Sequence, residues 1–201
     1  PYSMITAAGP PLTPADLRED EIIINHWLAE DLQLRPGGAL ELTYFQPESG
    51  AQLVETTNRF RVRSVAPLEG VYLDRALMPE FPGIAKAEST HDWDAGFQLV
   101  HEIRPKDEAY WKQYRGNPKA FVSLAAGEKL WANRFGSLTG IRFPVPPGVA
   151  AAEYRAALAQ ALPRALQPED LGLRFEPVRE QALNAANQAQ DFGQLFLGFS
   201  F

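Results

Sequence analysis

The sequence predicts an α+β fold of mixed short strands and helices, arranged as two lobes. Three observations carry that prediction. Apolar residues alternate with period two in some stretches and recur with helical spacing in others. Seventeen prolines are dispersed along the chain rather than gathered into a linker, which suits many short elements. The 201 residues, 45% hydrophobic and 22% charged, are enough to bury a real core.

Glu21-Ile22-Ile23-Ile24-Asn25 is rich in β-branched residues and predicts a strand. Asn25 can cap a following helix from His26 to Leu34, whose Trp27, Leu28, Ala29 and Leu32 fall on or near one face. Pro36-Gly37-Gly38 stops it. From Ala39 to Phe45, Leu40, Leu42 and Tyr44 alternate with Glu41 and Thr43, the pattern of a half-buried strand. After a Pro47–Gly50 turn, Gln52–Thr56 and Phe60–Val65 read as two further strands. In the second, Phe60, Val62 and Ser64 face one side, and Arg61, Arg63 and Val65 the other.

The middle of the chain is less regular. Leu73–Leu77 predicts one helical turn, and residues 88–100 a loop anchored by Trp93 and Phe97. Lys106–Tyr114 reads as a helix with Asp107 and Glu108 at its positive end. Lys119–Leu124 reads as a strand and Ala125–Asn133 as a helix. Ser137–Val145 is strand-like before Pro146 and Pro147. Ala150–Leu162 carries Tyr154, Leu158 and Leu162 four residues apart, a helix that Pro163 is expected to break. Leu173–Val178 predicts a strand, and Arg179–Gln190 a polar, alanine-rich helix.

Composition excludes several functions. A net charge of −6 argues against nucleic-acid binding, which needs a basic face. The absence of cysteine removes disulfides, thiolate zinc sites and cysteine nucleophiles. No G-x-S-x-G elbow, Walker loop or G-x-G-x-x-G is present, so neither a serine nucleophile nor a nucleotide site is indicated. No cofactor is expected.

Two clusters invite chemistry. His91, Asp92 and Asp94, with His101 ten residues beyond His91, could supply nitrogen and oxygen ligands to zinc or the acid–base groups of a hydrolase. The spacing matches no recognised metal motif, and a solvated loop is the plainer reading. Trp93, Tyr110, Trp111 and Tyr114, with Trp131 further on, could form a stacking surface for a sugar or peptide. Core packing is the ordinary use of such residues.

The C-terminal run Phe192-Gly193-Gln194-Leu195-Phe196-Leu197-Gly198-Phe199-Ser200-Phe201 contains no charge. As a helix it would extend about 15 Å, roughly half of a bilayer's hydrocarbon core. It reads either as a core element or as the start of a truncated membrane span.

Three stretches together resemble one family. Glu21–Leu68, containing EIIINHWLAEDLQLRPGGALELTYF and RFRVRSVAPL, is similar to the MacB-like periplasmic core, the extracytoplasmic domain of FtsX-like ABC transporter permeases. There the pattern is strand, helix with Leu-Ala, glycine-containing turn, strand and returning F-x-V-x-x-V strand; Ser64 stands where a glycine often occurs. Lys106–Phe143 resembles a large-permease branch of that family. REQALNAANQAQDFGQLFLGFSF resembles the junction with the second membrane helix.

The resemblance implies a non-catalytic domain over residues 1–191, lying outside the cytoplasmic membrane, with residues 192–201 beginning a membrane helix. Phe192, Leu195, Phe196, Leu197, Phe199 and Phe201 would mark the junction. It also implies three partners: a cytoplasmic ABC ATPase acting through the membrane part, a second permease copy or homologue, and a periplasmic protein or lipoprotein. Such systems couple ATP-driven motion of membrane helices to work outside the membrane. The family has no shared catalytic set, so none is carried over. The alternatives are an extracytoplasmic carbohydrate- or peptide-binding module on the aromatic group, and a hydrolase on the His91–Asp94 loop.

Overall fold

Ile22, Ile23 and Ile24 are 0–2% exposed, and the sheet is assembled around the strand that carries them. The computed structural model describes residues 2–47, 53–94, 99, 101–133, 136–174 and 176–189. It divides into two units, residues 1–141 and 142–201.

The first unit contains strands β1 (Ile5–Ala8), β2 (Glu21–Asn25), β3 (Ala39–Pro47), β4 (Leu53–Ala66) and β5 (Ala120–Ser123). Its helices are α1 (His26–Leu32), α2 (Pro105–Tyr114) and α3 (Leu124–Trp131). The sheet runs β1-β5-β2-β4-β3. β2 is parallel to β4, while β5 is antiparallel to β2 and β3 antiparallel to β4. The order β2-α1-β3-β4-α2-β5 is thus a split βαβ sheet of the ferredoxin-like kind. β1 extends it by pairing parallel to β5.

The sheet is covered on both faces. Ile22 and Ile24 of β2, Phe60 and Val62 of β4, and Ala120 and Val122 of β5 meet Leu28 and Ala29 of α1 and Ala126 of α3. Ile23 and Phe121 face the other way, against Leu12, Leu17 and Ala66, with Tyr72 and Leu77 packed alongside. A continuous apolar run in β2 follows from burial on both faces. Gly127 lets α3 approach closely, because a Cβ there would lie 2.1 Å from the Cβ of Ala7.

Several expectations hold in detail. Asn25 caps α1, its Oδ1 accepting from the Leu28 N–H at 2.9 Å. Gln33 closes the helix in the left-handed region at φ 53°. Leu40 is buried and Glu41 and Thr43 are exposed, as the alternation required.

Others are corrected. The two strands expected over 52–56 and 60–65 are one fourteen-residue strand, paired with β3 from Leu53 to Arg61. A register shift between Ile22 and Ile23 places Val62 opposite Ile22 but Ser64 opposite Ile23. This bulge changes the face assignment near the end of β4, so that Val65, not Ser64, packs against the core of Phe60 and Val62. The helical turn over 73–77 resolves into two 3-10 segments, Gly70–Leu73 and Arg75–Leu77. β1 has no counterpart among the expected elements. Ser137–Val145 forms no strand: its residues are exposed, and proline at 144 and 146 removes ladder donors.

The second unit contains α4 (Ala151–Ala165) and α5 (Val178–Ala189), with a 3-10 turn at Pro168–Leu171. Pro163 lies inside α4 rather than ending it. The carbonyl deprived of its partner lies on an exposed stretch, where water can replace the lost donor. α4 has no fully buried residue, and Tyr154 and Leu158 are its half-buried positions. The described residues of 173–177 are not a strand; Pro177 instead leads into α5, its carbonyl accepting from Gln181 at 3.0 Å. No helix among the described residues is long and apolar enough to cross a membrane. The apolar tail, with its six junction residues, lies outside the described residues, as does Phe97.

Candidate functional site

The first unit contains a cavity of about 140 Å³. Its walls come from Tyr2–Met4, the Thr90–Trp93 segment, α2 and the 115–119 turn. That turn can sit where it does because residue 116 is glycine: a Cβ would lie 1.6 Å from the Met78 sulfur.

The aromatic residues singled out in the sequence converge here. Tyr110 and Trp111 are each 4% exposed. Both line the cavity, as does half-buried Trp93, which meets Trp111 edge-on with ring centroids 4.8 Å apart. Tyr114 packs behind the wall against Tyr110 at 4.9 Å. Trp93, Tyr110 and Trp111 therefore line a pocket, with Tyr114 behind them. Trp131 lies elsewhere, edge-on to Tyr44.

Hydrogen bonds fix these rings. The Trp111 indole N–H donates to the Ala87 carbonyl at 3.0 Å, which also accepts from Arg115 at 2.9 Å. The Tyr110 hydroxyl donates to the Asn117 carbonyl at 3.2 Å and accepts from the Asn25 amide at 3.0 Å. Glu108 of α2 accepts from the Thr90 backbone N–H at 2.8 Å and from its hydroxyl, docking the Thr90–Asp92 3-10 turn. Those bonds, Thr90 first, outweigh desolvation and bring the Glu108 carboxyl down to about 2.

A chain of charges reaches the cavity wall at Asp107 and Lys119. Arg104 holds Asp31 through two bonds, at 2.7 and 3.1 Å, and its Nε donates to Asp107 at 2.7 Å. Lys106 also pairs with Asp31. Asp107 in turn lies 3.5 Å from the Lys119 Nζ. Desolvation works against both carboxylates, but Arg104 and its neighbours hold them below the ordinary aspartate value. Lys119 has a side chain 4% exposed, and its ammonium sits 3.8 Å from the Trp27 ring centroid and 4.5 Å from that of Tyr110. Burial brings it down to about 8, against the pull of Asp107. Neither Lys119 nor Asn117 was singled out by the sequence; an Asn-Pro-Lys step entering a short strand carries no recognisable signal.

The histidine loop is a different kind of place. His91 and Asp92 are exposed on the 3-10 turn, and the His101 ring lies 6.0 Å from that of Tyr2. His26 lies in the first turn of α1, 3.3 Å from Glu30. Among the described residues no three His, Asp or Glu side chains gather into a metal site. Comparison with family models, with curated proteins and with solved structures gives no match.

Proposed function

We propose that this chain is a non-catalytic extracytoplasmic domain of an FtsX-like ABC transporter permease, with the MacB-like periplasmic core as its fold relative. It couples ATP-driven motion of membrane helices to substrate or partner handling outside the membrane. The observation that carries the reading is the behaviour of residues 21–66. They fold as strand, helix, glycine turn, strand and returning strand, and each element contributes to one core: Ile22 and Ile24, Leu28 and Ala29, Leu40, and Phe60 and Val62. That is the element order on which the resemblance rests.

A transmitting domain must move as a body, and several charged groups of this unit hold its elements together. Buried Glu21 receives Arg61 at 3.1 Å and Arg63 at 3.7 Å, and Arg104 ties α2 to Asp31 of α1. α5 is polar and continuous through Ala189, the form expected of a stalk. A flexible spacer after Gln190 is expected to uncouple ATP hydrolysis from transport, and unchanged transport would contradict that role.

The placement has a direct test. The chain contains no cysteine, so Lys129→Cys at an exposed position of α3 introduces a unique thiol at the cost of one surface ion pair with Glu19. In spheroplasts carrying the full-length protein, otherwise free of cysteine, a membrane-impermeant maleimide is expected to label it. Labelling only after permeabilisation would contradict the reading.

A further inference from the structure

The cavity of the first unit is lined by three rings, Trp93, Tyr110 and Trp111, and by Ile84, Leu99 and Ile103, and most of the surface open to it is carbon. Its walls are tied to one another. The Trp111 indole and the Arg115 guanidinium both donate to the Ala87 carbonyl, and Arg115 also donates to the Glu88 carbonyl at 3.0 Å. Glu108 accepts from the Thr90 backbone N–H at 2.8 Å. The segment that carries Ile84, Thr90 and Trp93 is thus fastened to α2 and to the residue that follows it. Walls held in this way resist collapse into the space between them. Carbon atoms that face such a space have no dispersion partner on that side, and an apolar body of the right size restores those contacts.

The charged residues that reach the wall are engaged with other groups of the protein. Asp107 accepts from the Arg104 Nε at 2.7 Å and lies 3.5 Å from the Lys119 Nζ, which also donates to the Tyr2 carbonyl at 3.4 Å. Arg115 is spent on the two carbonyls already named. A charged ligand would surrender its hydration and have to compete with these contacts, a cost that an uncharged apolar ligand does not meet. The volume, about 140 Å³, is that of an apolar cavity that takes up benzene.

We infer that this cavity is a binding site for a small, uncharged, apolar group of benzene size. The lining rings offer it edge and face contacts, and the aliphatic residues close the remaining wall. The same chemistry is presented by a free hydrocarbon and by the apolar side chain of a peptide. The site stands independently of the permease reading, since every lining residue belongs to the first unit.

The indole N–H signals in the NMR spectrum of the purified protein test it, assigned with Trp93→Phe, Trp111→Phe and Trp131→Phe and followed during titration with toluene, benzoate, benzylamine and N-acetylphenylalanine amide. Toluene is expected to bind saturably at millimolar concentration or below and to shift the Trp93 and Trp111 signals. The Trp131 signal, from the ring packed against Tyr44, is expected to stay in place. Benzoate and benzylamine are expected to bind at least about ten-fold more weakly than toluene. The tighter of toluene and the peptide amide identifies the source as a free molecule or a peptide side chain. Ile103→Trp sets a larger side chain on the cavity wall and is expected to abolish the toluene shifts while the spectrum keeps its native dispersion. No saturable toluene binding, binding of either charged analogue as tight as that of toluene, shifts confined to Trp131, or undiminished binding by folded Ile103→Trp would each overturn the proposal.

Discussion

The side-chain amide of Asn25 donates to the Tyr110 hydroxyl at 3.0 Å, joining residues 85 apart in sequence. Asn25 also caps α1 and donates to the Pro118 carbonyl at 3.3 Å, all while fully buried. One side chain thus fixes the start of α1, the wall of the cavity and the approach to β5. Asn25→Ala removes a cap worth about 1 kcal/mol and leaves buried groups unsatisfied at about 1–3 kcal/mol. A loss of about 2–4 kcal/mol is expected from urea unfolding at neutral pH. A loss indistinguishable from that of an exposed substitution would contradict this role.

Glu108 is the acid-sensitive clamp on the Thr90 turn. Its carboxyl titrates near 2 in the folded chain, against 4.5 ordinarily. The unfolded chain therefore binds the proton first as pH falls. The stabilisation is complete above 4.5 and is lost as the pH drops toward 2. Comparing urea midpoints of the native protein and Glu108→Gln at pH 7 and pH 3 reads this out. The native protein's advantage is expected to be smaller at pH 3 than at pH 7; an equal difference at both values would refute it.

Lys119 has a linkage of the same sign in an alkaline window, where the folded chain gives up a buried charge instead of keeping one. Its ammonium titrates near 8 when folded and 10.5 when not, so the unfolded chain holds more protons between those values. Stability from this group rises as pH increases through that window, because the buried charge is discharged. Lys119→Met lacks the titration and leaves Asp107 paired with Arg104. The stability difference, native minus variant, is expected to increase between pH 8 and 10.5. A flat difference would show that the folded chain does not perturb this lysine.

How much of this was legible depends on the range of the forces involved. The β2–α1–β3 segment could be read because its signals are local: β-branched residues, an Asn cap, Pro-Gly-Gly and strict alternation. Asn25 was legible as a cap but not as the partner of Tyr110, since that bond depends on how α2 docks. The bulge opposite Ile22–Ile23 reassigns Val65 through strand pairing that the β4 residues do not encode by themselves. β1 is four half-buried residues, an edge that exists because β5 offers it a partner. Ser137–Val145 shows the converse, strand-like residues with no ladder to join. The aromatic group was visible, but Asn117 and Lys119, which join it in the cavity wall, are brought there by three-dimensional placement.

The permease reading is tested most directly by purifying the full-length protein from membranes in mild detergent and identifying what accompanies it. A nucleotide-binding ABC ATPase subunit is expected to co-purify in stoichiometric amount and to hydrolyse ATP in the complex. Recovery of the full-length protein from the soluble fraction, with no such ATPase bound, would contradict the account.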